Sequence, residues 1–441
     1  MFNIMRKKKL IYGMAFFGLV LSACSESNVD EPGNIKDVNL LTRQDVELTS
    51  SFKEIAQGQY AYPVNLLKSV YETSEDANPM VSPLSASMVL SMIVNAIDEP
   101  ADRFDILKTL CIDENTLQTY NEYNAKLVEV MPSIDQSAKF TLNNAFWLRT
   151  DGVMSQDYRT ILSGHYNSEL GSFEDFDNTV VDEINEWISG RTDGAINNLL
   201  SYEDTAEDIK EVWVNALYFK GIWRQAFEKK NTVNQEFYPS YPATGDSKQV
   251  KMMSGYDFRY INYTYPAGSY EREDAITTVM LPFGNESFIF TAVLPAENNP
   301  DIANTMAALT PEYWQILDRQ ISTEQNEAGD VIVKLPQLHL ENTLDLIPIF
   351  KAMGIENIFD EVSMQKHLGY DIKQMIQVFR QKNLMDIDEE GGEIKSATVA
   401  EGMDGASGFT PMAVFDRPFI YFVRERSTGA VLLAGVYSDP R

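Results

Sequence analysis

The chain of 441 residues is poor in cysteine, histidine and positive charge. Its two cysteines, Cys24 and Cys111, rule out a network of disulfides as the source of stability. The three histidines, His165, His339 and His367, stand far apart, so no HExxH or paired Cys/His zinc arrangement is available. Glycine-rich phosphate loops of the GxGxxG or GxxxxGK[ST] type are missing, and GASG at 405–408 lacks the spacing of a serine nucleophile elbow. The expectation is therefore a protein with no cofactor and no metal, and not an enzyme. With 36 Lys and Arg against 65 Asp and Glu, the formal charge is −29, which sets general repulsion against nucleic acid and anionic membrane surfaces.

What is present is a large apolar inventory: 44% of residues are hydrophobic and 11% aromatic, enough to bury a sizeable core. The N-terminus places Arg6 and Lys7 to Lys9 before an apolar run from Leu10 to Leu21 that is too short to span a bilayer. That run ends in Leu21-Ser22-Ala23-Cys24, which resembles a bacterial lipobox. The resemblance implies a signal peptide over 1–23, cleavage before Cys24 and lipid attachment there; an ordinary signal followed by a chance cysteine is the alternative. Residues 24–40 are polar, acidic and broken by Pro32 and Gly33, as a flexible tether would be.

Periodic structure begins after the tether. Val64, Leu67, Val70 and Tyr71, then Met88, Met92 and Ala96, recur at helical spacing. From Glu211 onward the segments EVWVNALYFKG, TTVMLPF, FIFTAVLP, VIVKLPQLHL, RPFIYFV and AVLLAGVY are short and rich in β-branched and aromatic residues, which predicts strands. Several are apolar on both parities and belong in sheets covered on both faces. The body shows no repeat and no break in composition, so residues 41–441 read as one mixed α+β domain. Cys111, in LKTLCID, reads as a packed or partly exposed thiol.

One stretch does not fit a core: DEEGGEIKSATVAEGMDGASGFTP, residues 388–411. Asp386, Asp388, Glu390 and Gly391 imitate the first half of a calcium loop, but Ala397 stands where the bidentate carboxylate is required.

Motifs spread over some 370 residues point to a family. NPMVSPLSASMVLSM (78–92), INEWISGRTDGAI (184–196), VWVNALYFKGIWRQAF (212–227), VKMM (250–253), LPFGNESF (281–288) and DRPFIYFVRERSTGAVLLAGV (416–436) resemble, in order, segments of the serpins. The resemblance implies an α+β fold of three β-sheets and about nine helices, with an exposed reactive-centre loop at about 389–414. It also implies that a target protease cleaves that loop and is trapped as an acyl-enzyme. The implied hinge is Glu389, Glu390, Gly391, Gly392 and Glu393. The implied residues controlling sheet opening are Ser82, Ser85, Asn215 and Gln381, the last standing where the family usually has histidine, with Trp223 where the loop first enters. Each also has a plain role in packing.

Counting from the hinge puts the reactive bond near Gly405-Ala406, with Met403 and Phe409 as rivals. Small residues there favour an elastase-like or subtilisin-like serine protease, or a papain-like cysteine protease. The expected partners are such proteases, met by a monomer held at the membrane through Cys24, on an outer-membrane face that is either periplasmic or exposed. Along 392–403, the even residues Gly392, Ile394, Ser396, Thr398, Ala400 and Gly402 are uncharged, and all charges lie on the odd set, so the even set suits the inner face of an inserted strand. The hinge departs from the family pattern: Gly391 is followed by Gly392, Glu393, Ile394 and Lys395 instead of Thr or Ser and an alanine-rich run. A noninhibitory binding module therefore stands as the alternative.

Overall fold

A computed structural model describes residues 41–202, 209–241, 245–255, 261–264, 275–322, 332–371, 373–391 and 412–440. Helix Pro83–Ala96 starts where Ser82 turns its hydroxyl back onto the Ser85 N–H and Pro83 supplies a preset backbone angle at the first turn. Every residue of this helix is buried, so it is a central strut with no solvent face.

Beside it lies a six-stranded antiparallel sheet in the order Met80–Val81, Val431–Tyr437, Phe419–Glu425, Phe288–Leu294, Ile276–Pro282, Ile261–Thr264. Strands Phe288–Leu294 and Phe419–Glu425 are buried at every position, which is why their sequences are apolar on both parities. A second sheet joins Met412–Val414, Ile332–Pro336, Lys248–Gly255 and Val233–Phe237.

The remaining strands form two separate pieces. One is three-stranded, with Ala138–Arg149 between Glu169–Phe173 and Glu211–Gly221. The other is the antiparallel pair Leu338–Asp345 and Arg380–Ile387. Helix Asn178–Arg191 covers the outer face of the three-stranded piece, setting Val180, Val181, Ile184 and Ile188 against Ala145, Trp147, Val214 and Ala216. The opposite face, with Phe140, Leu142, Phe146 and Leu148, joins the main core. Strand Ala138–Arg149 was not among the strands expected from the sequence. Its inward alternation is interrupted by Asn144, and its outward positions Ala145 and Trp147 are apolar because the helix covers them.

Candidate functional site: a parted sheet and its hinge

Strands Glu211–Gly221 and Arg380–Ile387 face each other across a cleft, and among the described residues no hydrogen bond joins their backbones. The cleft holds a cavity of about 320 Å³ whose floor includes Ser82, Ser85, Ala86, Val89 and Ile93 from the buried helix. On one wall Gln381, Asn383, Met385 and Ile387 are buried and point inward while Leu384 and Asp386 are exposed. On the other, Trp213, Asn215, Leu217 and Phe219 share the core-facing parity and are only partly buried, since nothing described fills the space beside them. Each wall carries a row of backbone donors and acceptors without a ladder partner across the gap.

The upper end is closed by a tight reversal. Asp388 N–H donates to Gly391 O at 2.9 Å and Gly391 N–H donates back to Asp388 O at 3.3 Å. Gly391 has φ +112°, where a side chain is strained. A Cβ there would lie 2.5 Å from Gly221 O and 2.7 Å from Trp223 N, so even the space is reserved for hydrogen. Beyond the turn, Gly391 forms an antiparallel bridge with Ile222. The two walls therefore run in the same direction, and the backbone at Gly391 faces the opposite way, alongside the wall that ends at Gly221.

The hinge residues are held in place from several sides. Trp223, 2% exposed, donates its indole N–H to Asp388 O at 2.8 Å and its backbone N–H to Glu390 O at 3.0 Å. Its ring stacks on Phe283 with centroids 4.4 Å apart. Phe227 N–H donates to Glu389 O. The buried Glu389 carboxylate accepts from Thr232 Oγ1 at 2.5 Å and Gln337 Nε2 at 2.9 Å, and Glu390 pairs with Lys229 at 2.6 Å. Burial raises the Asp388 carboxyl above its usual range, opposed by the Glu390 N–H that it accepts. Arg224, next to Trp223, donates to Gly284 O and to Leu41 O, which ties the start of the described chain to the hinge.

Lower down, Gln381 grips Ser82 twice: Ser82 N–H donates to Gln381 Oε1 at 2.7 Å, and Gln381 Nε2 donates to Ser82 O at 3.0 Å. Asn215 does not join this group. It sits on the far wall, donates Nδ2 to Asn144 Oδ1 at 2.8 Å, and leaves its own Oδ1 buried with no partner among the described residues. Ser82, Ser85 and Gln381 are thus brought together, Asn215 stands across the cleft, and Trp223 is at the upper end. Sequence reasoning missed Asn144, Asn342 and Asn383. The last two both donate to Met80 O and hydrogen-bond each other, pinning the Arg380–Ile387 wall and its partner strand to the first strand of the six-stranded sheet. Their signal was faint: a polar residue on the inward parity of an otherwise apolar strand. Gly392, Glu393, Met403, Gly405, Ala406, Phe409 and Cys24 lie outside the described residues.

A family model described as serpin (serine protease inhibitor) matches residues 57–440. The chain is a serpin. Similar curated proteins include Serpin B8 of Bos taurus, 28% identical over 390 residues covering 87% of this chain and 98% of that protein, and human neuroserpin, 22% identical with 91% and 95% covered. Among solved structures, the thermophilic serpin tengpin in its native state superposes with a TM-score of 0.75 at 20% identity, covering 91% and 98% of the two chains. Human thyroxine-binding globulin complexed with its hormone matches equally, at 0.75 and 20%, covering 89% and 100%. These establish the serpin fold; among the described residues the three-stranded and two-stranded pieces stand apart between Glu211–Gly221 and Arg380–Ile387.

Proposed function

We propose that this serpin is a covalent, conformational-trapping inhibitor of endopeptidases, and that its cut loop becomes the strand that fills the cleft. The antiparallel bridge between Gly391 and Ile222 carries the reading, because it sets both a direction and a register for the loop residues beyond the hinge. One step along the loop is one step back along the wall. Seven residues on, Thr398 falls opposite Asn215; Ile394 falls opposite Phe219 and Ala400 opposite Trp213. Direct partners in an antiparallel pair share a face, so the even residues point into the core and Thr398 brings a hydroxyl to the orphan Asn215 Oδ1.

The energy is adequate. Two open walls of 11 and 8 residues offer ladder bonds worth about 1 kcal/mol net each, on the order of ten in all. That sum is comparable with the whole stability of a typical domain, about 5–15 kcal/mol, and therefore with the work of displacing and distorting a tethered protease. The unfilled form then persists behind a kinetic barrier. With the reactive bond at Gly405-Ala406, or at the rivals Met403 and Phe409, the targets are serine or cysteine proteases that accept small residues. Lipid on Cys24 holds the inhibitor on the bacterial envelope, at the outer membrane, as a monomer.

A second reading has its own observation: Ile394 is a bulky residue to bury opposite Phe219, and a cleft that accommodates it poorly would leave a serpin-fold binding module that is only clipped. Incubation with a panel of serine and cysteine proteases separates the two. The inhibitor gives an adduct that survives SDS, and mass spectrometry of the released peptide identifies the bond; clipping of the loop with no adduct at any enzyme ratio refutes trapping.

A further inference from the structure

The lower end of the cleft contains a second orphan. Glu211 begins the wall strand, on the same face as Trp213 and Asn215, and its Oε2 is buried with no hydrogen-bond partner among the described residues. It lines the same cavity. Among the described residues, the groups around it offer no ion pair. Lys210, its chain neighbour, sits over the Tyr370 ring at 5.0 Å, and Arg149, whose strand partner is one residue removed, is forked onto Asp151 by two bonds of 2.8 Å. From helix Gln156–His165, Tyr158 accepts from Trp213 Nε1 and donates to Met92 O, so its hydroxyl is committed, and His367 lies against the Tyr158 ring. Tyr370 donates to Lys210 O.

Resting on the reading that the cleft is filled after loop cleavage, we propose that Glu211 is the proton-linked residue of that step: filling the lower end requires its carboxyl to be neutral. The carboxyl lines the cleft, and a strand laid beside it removes the water that an ionised form needs while bringing it no cation. The loop segment 392–411 carries one cation in its sequence, Lys395, four residues past Gly391. Burial already pushes the Glu211 carboxyl up to about 7, with Lys210 and Arg149 pulling it down and Asp151 pushing it up. Filling raises it further. Below about pH 7 the step needs no proton from solution; above it, filling is disfavoured by up to tenfold per pH unit until the filled form's own value is passed.

The test compares melting temperatures of intact protein and of protein cut within 403–411, for wild type and Glu211→Gln, between pH 6 and 8.5. The glutamine keeps the shape of the neutral acid. Wild type is expected to gain less on cleavage at pH 8.5 than at pH 6, and Glu211→Gln to gain the same at both. If cleavage raises the melting temperature equally at both pH values in wild type, or the pH effect persists in Glu211→Gln, the proton linkage is wrong while filling itself stands. If cleavage changes nothing at any pH, the cleft is not filled and both readings fall.

Discussion

Replacing Gly391 by alanine tests the hinge most directly. The added Cβ meets three backbone atoms, Gly221 O at 2.5 Å, Trp223 N at 2.7 Å and Ile222 Cα at 2.8 Å, none of which belongs to a side chain that could swing away. At φ +112° the backbone itself is strained for alanine, which costs of order 1–3 kcal/mol, and crowding against fixed neighbours adds about the same. The intact variant escapes that total of about 3 kcal/mol by undocking the turn, and insertion, which requires the turn docked, is then slowed by up to about 100-fold. An acyl-enzyme that hydrolyses on its ordinary timescale then escapes, so the variant should be cut as a substrate and give little SDS-resistant adduct. Gly354→Ala is the control: it has φ +94° but nothing within 4 Å of the new methyl, so it carries the strain alone and should trap as wild type does. If Gly391→Ala formed adduct as efficiently as Gly354→Ala, the docked turn would have no part in insertion.

The same geometry sets other outcomes. Gln381→Leu strands the Ser82 N–H in the core, while the Ser82 C=O keeps its bond from the Ala86 N–H, and should lower stability by about 1–3 kcal/mol, read from denaturant midpoints, with no change in the slope. Thr398→Val keeps the shape but removes the hydroxyl expected to meet Asn215 Oδ1; the gain in stability on loop cleavage should shrink by about 1–2 kcal/mol, while the intact protein is unaffected. Ala400→Arg would bury a charge beside Trp213 and should turn inhibitor into substrate; trapping at the wild-type level would show that the even residues do not face inward. Cys24→Ala should abolish incorporation of labelled fatty acid and release the protein from the membrane fraction, whereas an unchanged distribution would argue for an ordinary cleaved signal.

The sequence carried four strands of the six-stranded sheet, at 276–282, 288–294, 419–425 and 431–437, because burial leaves a nearly continuous apolar imprint, as in FIFTAVLP, whereas the short strands Met80–Val81 and Ile261–Thr264 were not among those expected. It carried the buried helix 83–96 less completely: the recurring methionines mark one side, but the small residues Ser85, Ala86, Ser87 and Ser91 on the others are equally buried. Hinge contacts were out of reach because they join residues more than fifty positions apart. Nothing local in FEKKNTVN marks Thr232 as a partner of Glu389, or Lys229 as a partner of Glu390. The parting of the sheet was equally invisible, since Glu211–Gly221 and Arg380–Ile387 have the same alternation whether their inner edges meet each other or a third strand. Gln381 shows the middle case. Its residue type allowed it to donate and accept, but only the fold reveals that both capacities are spent on the backbone of one residue, Ser82.

Two parallel rows of backbone groups that have no ladder partner among the described residues make a socket that is indifferent to whose strand arrives. A neighbouring copy offers the same sequence as the tethered loop, so crowding turns a private latch into a link between molecules. The −29 formal charge opposes that encounter before any backbone bond can form. Its surplus of carboxylates thus acts as a spacer between springs, one that weakens as salt rises and copies are free to close the distance.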